Sequence, residues 1–187
     1  DSVLAGVGVC TKIMMFPFGI ILGFGNGFQP VAGFNWGAKR YDRVAQSYKF
    51  SSTTALIGGA AMGLLLAVFA DPIIVLFAGS DPEMRSIGAI CMWTQCLALP
   101  LHAWVAMVNM YCVALGNAKG AMALATARQG SCFLPILHAL AFFFGAYGVA
   151  SVQAIADLLS LALAFPIIFS MKKKVKAALE AQAALVE

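Results

Sequence analysis

Charged side chains are scarce in this sequence. Of its 187 residues, 12 are basic, 8 are acidic and 61% are hydrophobic. No charged residue occurs in the following stretches: 13–38, 50–70, 86–118 and 129–156. Each stretch is long enough to supply the roughly 20 apolar residues with which a helix crosses a bilayer. The scarcity of charge therefore argues against a soluble domain and predicts an all-α, polytopic membrane protein.

Sequence motifs of intramembrane enzymes are also missing. There is no His-Glu-x-x-His motif of the metalloproteases and no Gly-x-Gly-Asp motif of the aspartyl membrane proteases. The five cysteines lack the paired spacing of metal ligands and are predicted to be packing residues: Cys10, Cys91, Cys96, Cys112 and Cys132. We therefore predict no catalytic residue, no metal site and no enzymatic activity.

The predicted spans form one bundle over residues 1–176. Their approximate bounds are 13–36, 50–70, 86–115, 129–146 and 148–171. Residues 177–187 are rich in Ala, Leu and Glu and are predicted to form a helical or disordered cytoplasmic tail. The last apolar stretch, 158–171, is too short to cross the bilayer unless the span also includes Asp157. A carboxylate inside a membrane span is a candidate functional residue.

The loop charges predict an orientation in the plasma (inner) membrane. Three connections are basic and are predicted to be cytoplasmic: residues 39–49, 119–128 and 172–176. The acidic connection 71–83 and the neutral connection 144–148 are predicted to face outward. The net charge of +4 is explained by these helix ends, so no nucleic-acid partner is predicted.

This orientation places the amino terminus outside and the carboxyl terminus in the cytoplasm. The chain starts at Asp1 and has no basic segment ahead of a short apolar stretch, so no signal peptide is predicted. Because the chain starts outside, we expect that a helix precedes it and that the sequence is a piece of a longer protein.

Polar residues recur at every seventh position of the third predicted span. These residues are Gln95, His102 and Asn109, and the spacing puts them on one helical face, opposite Trp93 and Trp104. One interpretation is that they line a water-accessible cavity. The alternative is that they are hydrogen-bonding residues between helices, each contact contributing about 0.6 kcal/mol.

The fifth predicted span carries a second polar face. Gln153, Asp157 and Ser160 lie at positions i, i+4 and i+7, so the carboxylate lies on a polar face with an amide one turn away. Lys12 could pair with Asp157 or extend toward the outer headgroups. Two further candidates for the cavity lining are Asn26, whose carbonyl is freed by Pro30, and His138.

Glycines recur at every fourth position of the first predicted span. Gly19, Gly23 and Gly27 form two overlapping small-xxx-small steps. Such steps let the backbones of two membrane helices approach closely. We therefore predict a helix packed against this face.

Residues 27–44, with the sequence GFQPVAGFNWGAKRYDRV, resemble the signature of multidrug and toxic compound extrusion (MATE) transporters. The segments 115–120 (LGNAKG, continuing to Arg128 and Gln129) and 153–157 (QAIAD) are similar to the same family. The resemblance implies that the chain supplies about five helices of a six-helix lobe. It also implies a structural motif and hinge near the cytoplasmic end of the first span, made of Gln29, Pro30, Gly33, Asn35 and Gly37.

The resemblance further implies a function. Such transporters exchange a proton or a sodium ion for an organic, often cationic, drug by alternating access. In this function Asp157 and Gln153 would be the ion-coupling residues, and the polar residues of the third predicted span would line the substrate cavity. The implied partners are the lipid bilayer, a small organic cation and an amino-terminal lobe of the same protein; beyond H⁺ or Na⁺ no cofactor is expected. Two alternatives are a lipid-linked precursor flippase, which would be expected to carry several cationic residues in its cleft, and a membrane packing subunit that transports nothing.

Overall fold

The computed structural model describes residues 2–78, 81–127, 130 and 133–184. The described residues form helices joined by short connections and contain no strand, which confirms the all-α prediction. In chain order the helices are α1 (Ser2–Gly37), α2 (Tyr41–Val68), α3 (Ala70–Ala78), α4 (Pro82–Ala114), α5 (Ala118–Thr126) and α6 (Phe133–Ala183).

Helix α6 is broken at Gly145. This residue has φ 56° and ψ −133°, a conformation that only glycine adopts without strain because it has no Cβ atom. The break divides α6 into a short arm, Phe133–Gly145, and a long arm, Gly148–Ala183. The long arm continues as helix through the first part of the predicted tail.

Four helical segments are long and apolar enough to cross a membrane. They are Leu4–Gly37, Tyr41–Val68, Pro82–Ala114 and Gly148–Ala183. These segments overlap four of the five predicted spans. The remaining predicted span, 129–146, lies partly outside the described residues, and its described part is the short arm of α6.

Helix α4 is the centre of the bundle and packs against each of the other five helices. Two glycines of α2 allow the closest of these approaches. A Cβ atom on Gly59 would lie 2.9 Å from the Cβ of Ala103, and one on Gly63 would lie 2.5 Å from the carbonyl oxygen of Cys96. Both positions therefore require a residue without a side chain.

The glycines of α1 behave differently from the prediction. Within the described part of the chain, nothing lies within 4 Å of a Cβ built on Gly19, Gly23 or Gly27. The contact with α4 uses Gly25 instead, where a Cβ would lie 2.9 Å from the Cε of Met107. The predicted glycine face is therefore an open surface of the described bundle.

Four cysteines are buried as free thiols: Cys10, Cys91, Cys96 and Cys112. The Sγ of Cys10 lies 4.0 Å from the Sδ of Met92, inside an apolar cluster formed by α1, α3 and α4. Their burial among apolar side chains agrees with the predicted packing role. The fifth cysteine, Cys132, lies outside the described residues.

Candidate functional site

The polar stripe of α4, formed by Gln95, His102 and Asn109, faces the interior of the bundle. Gln95 and His102 are buried, with 7% and 6% of their surface exposed, and Asn109 is half-buried. Trp93, on the predicted opposite face, is 51% exposed. The helical spacing therefore predicted correctly which side of α4 carries the polar groups.

The second tryptophan of α4 lies against a neighbouring helix. Trp104 is half-buried, and its ring centroid lies 5.5 Å from that of Phe165 on the long arm of α6. Trp104 is thus a packing residue between α4 and α6.

His102 meets the predicted ion-coupling residue. Its Nδ1 lies 3.6 Å from an Oδ1 of Asp157 on the long arm of α6, and Asp157 is only 3% exposed. The distance is within ion-pairing range but longer than a normal hydrogen bond. Phe18 of α1 packs edge-on against the imidazole, with ring centroids 4.7 Å apart. An acid and a base are therefore held side by side where three helices meet.

Two cavities adjoin this pair. The first has a volume of about 130 Å³ and is lined by Gln95 and Gln153, together with Phe18. The second has a volume of about 210 Å³ and is lined by His102 and Asn109. His102 itself lines the second cavity, and Phe18, which packs on its ring, lines the first.

The polar groups around the pair differ in their hydrogen bonding. The side-chain amide of Gln95 donates to the Sγ of Cys91 over 3.3 Å. Ser160, one turn after Asp157, is completely buried, and its hydroxyl has no hydrogen-bond partner among the described residues. Lys12 is exposed on α1, whereas the described ion-pair partner of Asp157 is His102.

Two predicted cavity residues lie away from this site. Asn26 is exposed on α1. His138 is exposed on the short arm of α6, where its Nδ1 lies 3.2 Å from the carbonyl oxygen of Leu134. The described bundle does not bring either residue to the His102–Asp157 pair, and their role in a cavity stays a prediction.

The predicted structural motif joins the end of α1 to α4. The side-chain amide of Gln29 donates to the Sδ of Met110. At Gly33, a Cβ atom would be in van der Waals contact, 3.5 Å from the carbonyl oxygen of Ala114. These contacts hold the two helices together near the ends that the loop charges assign to the cytoplasm.

The rest of the motif shapes the end of α1 itself. Pro30 lies inside the helix, where it cannot donate a hydrogen bond to the carbonyl four residues earlier. The amide of Asn35 donates to the carbonyl oxygen of Val31 over 2.8 Å, and Gly37 is the last helical residue. The motif therefore includes both an interruption and a helix end, as a hinge requires, while movement there stays a prediction.

Within the described ranges, no group of three or more His, Cys, Asp or Glu side chains is placed to hold a metal ion.

Phe18, the aromatic contact of His102, was not predicted from the sequence, because it is one of 14 phenylalanines and its position carries no distinguishing pattern.

Known proteins resemble this chain in sequence and in fold. Residues 1–137 match the MatE family. The multidrug export protein MepA of Staphylococcus haemolyticus is 25% identical over 171 residues, which cover 91% of this chain and 37% of MepA. The chain thus spans little more than a third of that relative.

Two crystal structures of the MATE transporter VcmN of Vibrio cholerae have the same fold. The bent form superposes with a TM-score of 0.82 at 19% identity, over 95% of this chain and 40% of VcmN. A mutant of VcmN superposes with a TM-score of 0.83 at 19% identity, over 93% of this chain and 40% of VcmN. Since the family match covers most of the sequence and the apolar helices are those of a multi-pass membrane protein, this chain belongs to the MatE family of transporters.

Proposed function

We propose that this chain is part of a cation-coupled antiporter that exports organic, often cationic, compounds by alternating access. The relative MepA is described as a multidrug export protein, and the chain spans 37% of it. The complete antiporter would therefore include an amino-terminal lobe, and its partners would be the lipid bilayer and a small organic cation. The coupling ion would be H⁺ or Na⁺.

The observation that carries this proposal is the buried pair of His102 and Asp157. An ion pair removed from water is stabilised by its partner, and loss of either charge leaves the other buried and uncompensated. The imidazole carries a positive charge only when it is protonated, so a proton gained or lost at this pair would change the attraction between α4 and the long arm of α6. Ion binding at this position would change how the two helices pack.

The position of the pair between two cavities suits alternating access. An ion that binds one arrangement of the helices better than another shifts the population toward that arrangement. Gln95 and Gln153 line the cavity on one side of the pair, and His102 and Asn109 line the cavity on the other. Substrate and ion could thus reach the pair from different sides in different conformations.

The neighbouring oxygens would decide which ion is used. Hard cations prefer oxygen ligands, and the long arm of α6 offers oxygens at Gln153, Asp157 and Ser160 on one face. A proton needs only the carboxylate and the imidazole. If Na⁺ is the coupling ion, Gln153 would be one of its ligands. If H⁺ is the coupling ion, Gln153 would be a hydrogen-bond partner of the carboxylate.

The proposal is tested with the full-length transporter in proteoliposomes. Efflux of a cationic dye is measured under an imposed proton or sodium gradient. Asp157→Asn keeps the side-chain shape and removes the charge, so gradient-driven efflux should be abolished while dye binding is retained. Asp157→Glu should keep part of the activity.

Asp71→Asn is the matched control, because Asp71 is an exposed acid in the first turn of α3. It should transport like the wild type. Gradient-driven efflux at the wild-type rate from Asp157→Asn would contradict the proposed coupling role. Loss of dye binding as well as efflux would indicate a structural role for the pair.

A further inference from the structure

A larger cavity lies at the end of the bundle that carries most of the lysines. Its volume is about 590 Å³, which exceeds that of either cavity beside the His102–Asp157 pair. It is bounded by α2, α4 and the long arm of α6. The residues that matter for its chemistry are Tyr48, Lys49, Tyr111, Lys172, Lys176 and Leu179.

The lining of this cavity is basic. Lys49 comes from α2, and Lys172 and Lys176 come from consecutive turns of α6. The Nζ of Lys176 lies 3.7 Å from a carboxylate oxygen of Glu180, and both of these side chains are largely exposed. Three ammonium groups against one neighbouring carboxylate leave an excess of positive charge. The cavity therefore favours an anion.

A buried tyrosine lines this cavity. Tyr48 is 5% exposed, and its hydroxyl lies beside the hydroxyl of Ser52. Ser52 itself donates to the carbonyl oxygen of Lys49 over 3.2 Å. The lining therefore combines an aromatic ring with the ammonium groups.

The ammonium group of Lys172 already lies close to this tyrosine. Its Nζ is 5.9 Å from the centroid of the Tyr48 ring. Tyr48 in turn packs on Tyr111 of α4, with ring centroids 4.4 Å apart. The aromatic pair forms a wall beside the ammonium group of Lys172, so this positive charge lies at the cavity.

The surroundings of the cavity favour a lipid over a small anion. Val175 and Leu179 supply apolar lining, and Phe50, beside Lys49 on α2, is 69% exposed. The next apolar residues of α6 toward the bilayer include Phe169, which is 68% exposed. Lysines directly after a span attract anionic headgroups, and the exposed apolar side chains can contact acyl chains.

We propose that this cavity binds the headgroup of an anionic phospholipid, whose phosphate contacts Lys49, Lys172 and Lys176. The lipid's acyl chains lie along the apolar faces of α2 and α6. This site is separate from the coupling pair and does not depend on the proposed transport activity.

The test uses the full-length protein in detergent micelles, titrated with phosphatidylglycerol, phosphatidylcholine or inorganic phosphate. Thermal unfolding and retained lipid are measured. Phosphatidylglycerol should bind and stabilise the wild type, while phosphatidylcholine and inorganic phosphate should have little effect. The triple variant Lys49→Gln, Lys172→Gln, Lys176→Gln should bind phosphatidylglycerol about tenfold more weakly or worse.

The matched control is Lys39→Gln, Lys119→Gln, Lys173→Gln, which removes the same charge from exposed positions outside the cavity. It should bind phosphatidylglycerol like the wild type. Equal loss in the two triple variants would overturn the proposal, since it would show attraction to net charge alone. Stabilisation by inorganic phosphate alone would overturn the choice of a lipid.

Single variants keep the test valid if the triple variant fails to fold. Lys172→Gln should weaken phosphatidylglycerol binding about fivefold, whereas Lys173→Gln should leave it unchanged. If phosphatidylglycerol has no effect on the wild type, another part of the protein covers the cavity and the proposal is wrong.

Discussion

The imidazole of His102 and the carboxylate of Asp157 lie 3.6 Å apart in the interior of the bundle, although 54 residues separate them in the chain. The two side chains come from α4 and from the long arm of α6, on the faces where these helices meet. The pair therefore links a polar stripe and a buried acid that the sequence presents as separate features.

The first prediction is that His102 and Asp157 stabilise each other. His102→Leu and Asp157→Leu should each destabilise the protein by about 3 kcal/mol, because each leaves the other group buried without its partner. The double variant should cost at least about 1 kcal/mol less than the sum of the single costs. Thermal unfolding of the purified full-length protein measures all three; strictly additive costs would show that the pair is not coupled.

The second prediction concerns the water accessibility of the stripe. In a cysteine-free background, Asn109→Cys should react with a small hydrophilic thiol reagent, because Asn109 lines a cavity and is only half-buried. Trp93→Cys should stay unreactive, because its exposed face contacts lipid. Bound substrate should protect position 109. The same reactivity at both positions would assign the stripe to contacts between helices.

The third prediction is the orientation of the chain. Single cysteines at Glu83 and Phe144 should react with an impermeant thiol reagent added outside intact cells, whereas those at Asp42 and Lys119 should not. All four side chains are exposed, so accessibility within the bundle is matched. The expectation follows from the position of the basic connections. Labelling at 42 or 119 from outside would reverse the orientation.

The fourth prediction concerns the contact between α2 and α4. Gly63→Ala should destabilise the protein by about 1 to 3 kcal/mol, because the new Cβ would lie 2.5 Å from the Cys96 carbonyl oxygen, which belongs to the backbone of a packed helix. Gly58→Ala is the control on the same helix, with nothing within 4 Å of its Cβ. It should be neutral or slightly stabilising in thermal unfolding.

Much of the fold was predictable from local sequence. Stretches without charge form long apolar helices, because a helix that faces lipid must be apolar over about 20 residues. The stripe of α4 was also predictable, since the spacing of seven keeps side chains on one face whatever surrounds the helix. The segment 71–78 is an exception: it is predicted as part of the outer connection 71–83, and the structure has most of the short apolar helix α3 (Ala70–Ala78) there.

The partner of Asp157 was decided only by the tertiary structure. The sequence offered Lys12 as a candidate, but it is His102 that meets the carboxylate. Phe18 packs on the imidazole of His102. Likewise, α1 packs on α4 through Gly25 and not through the predicted Gly19, Gly23 and Gly27. Periodicity along one helix determines which of its residues share a face. Which two faces meet depends on the packing of all the helices and on the break at Gly145, and these are properties of the whole bundle.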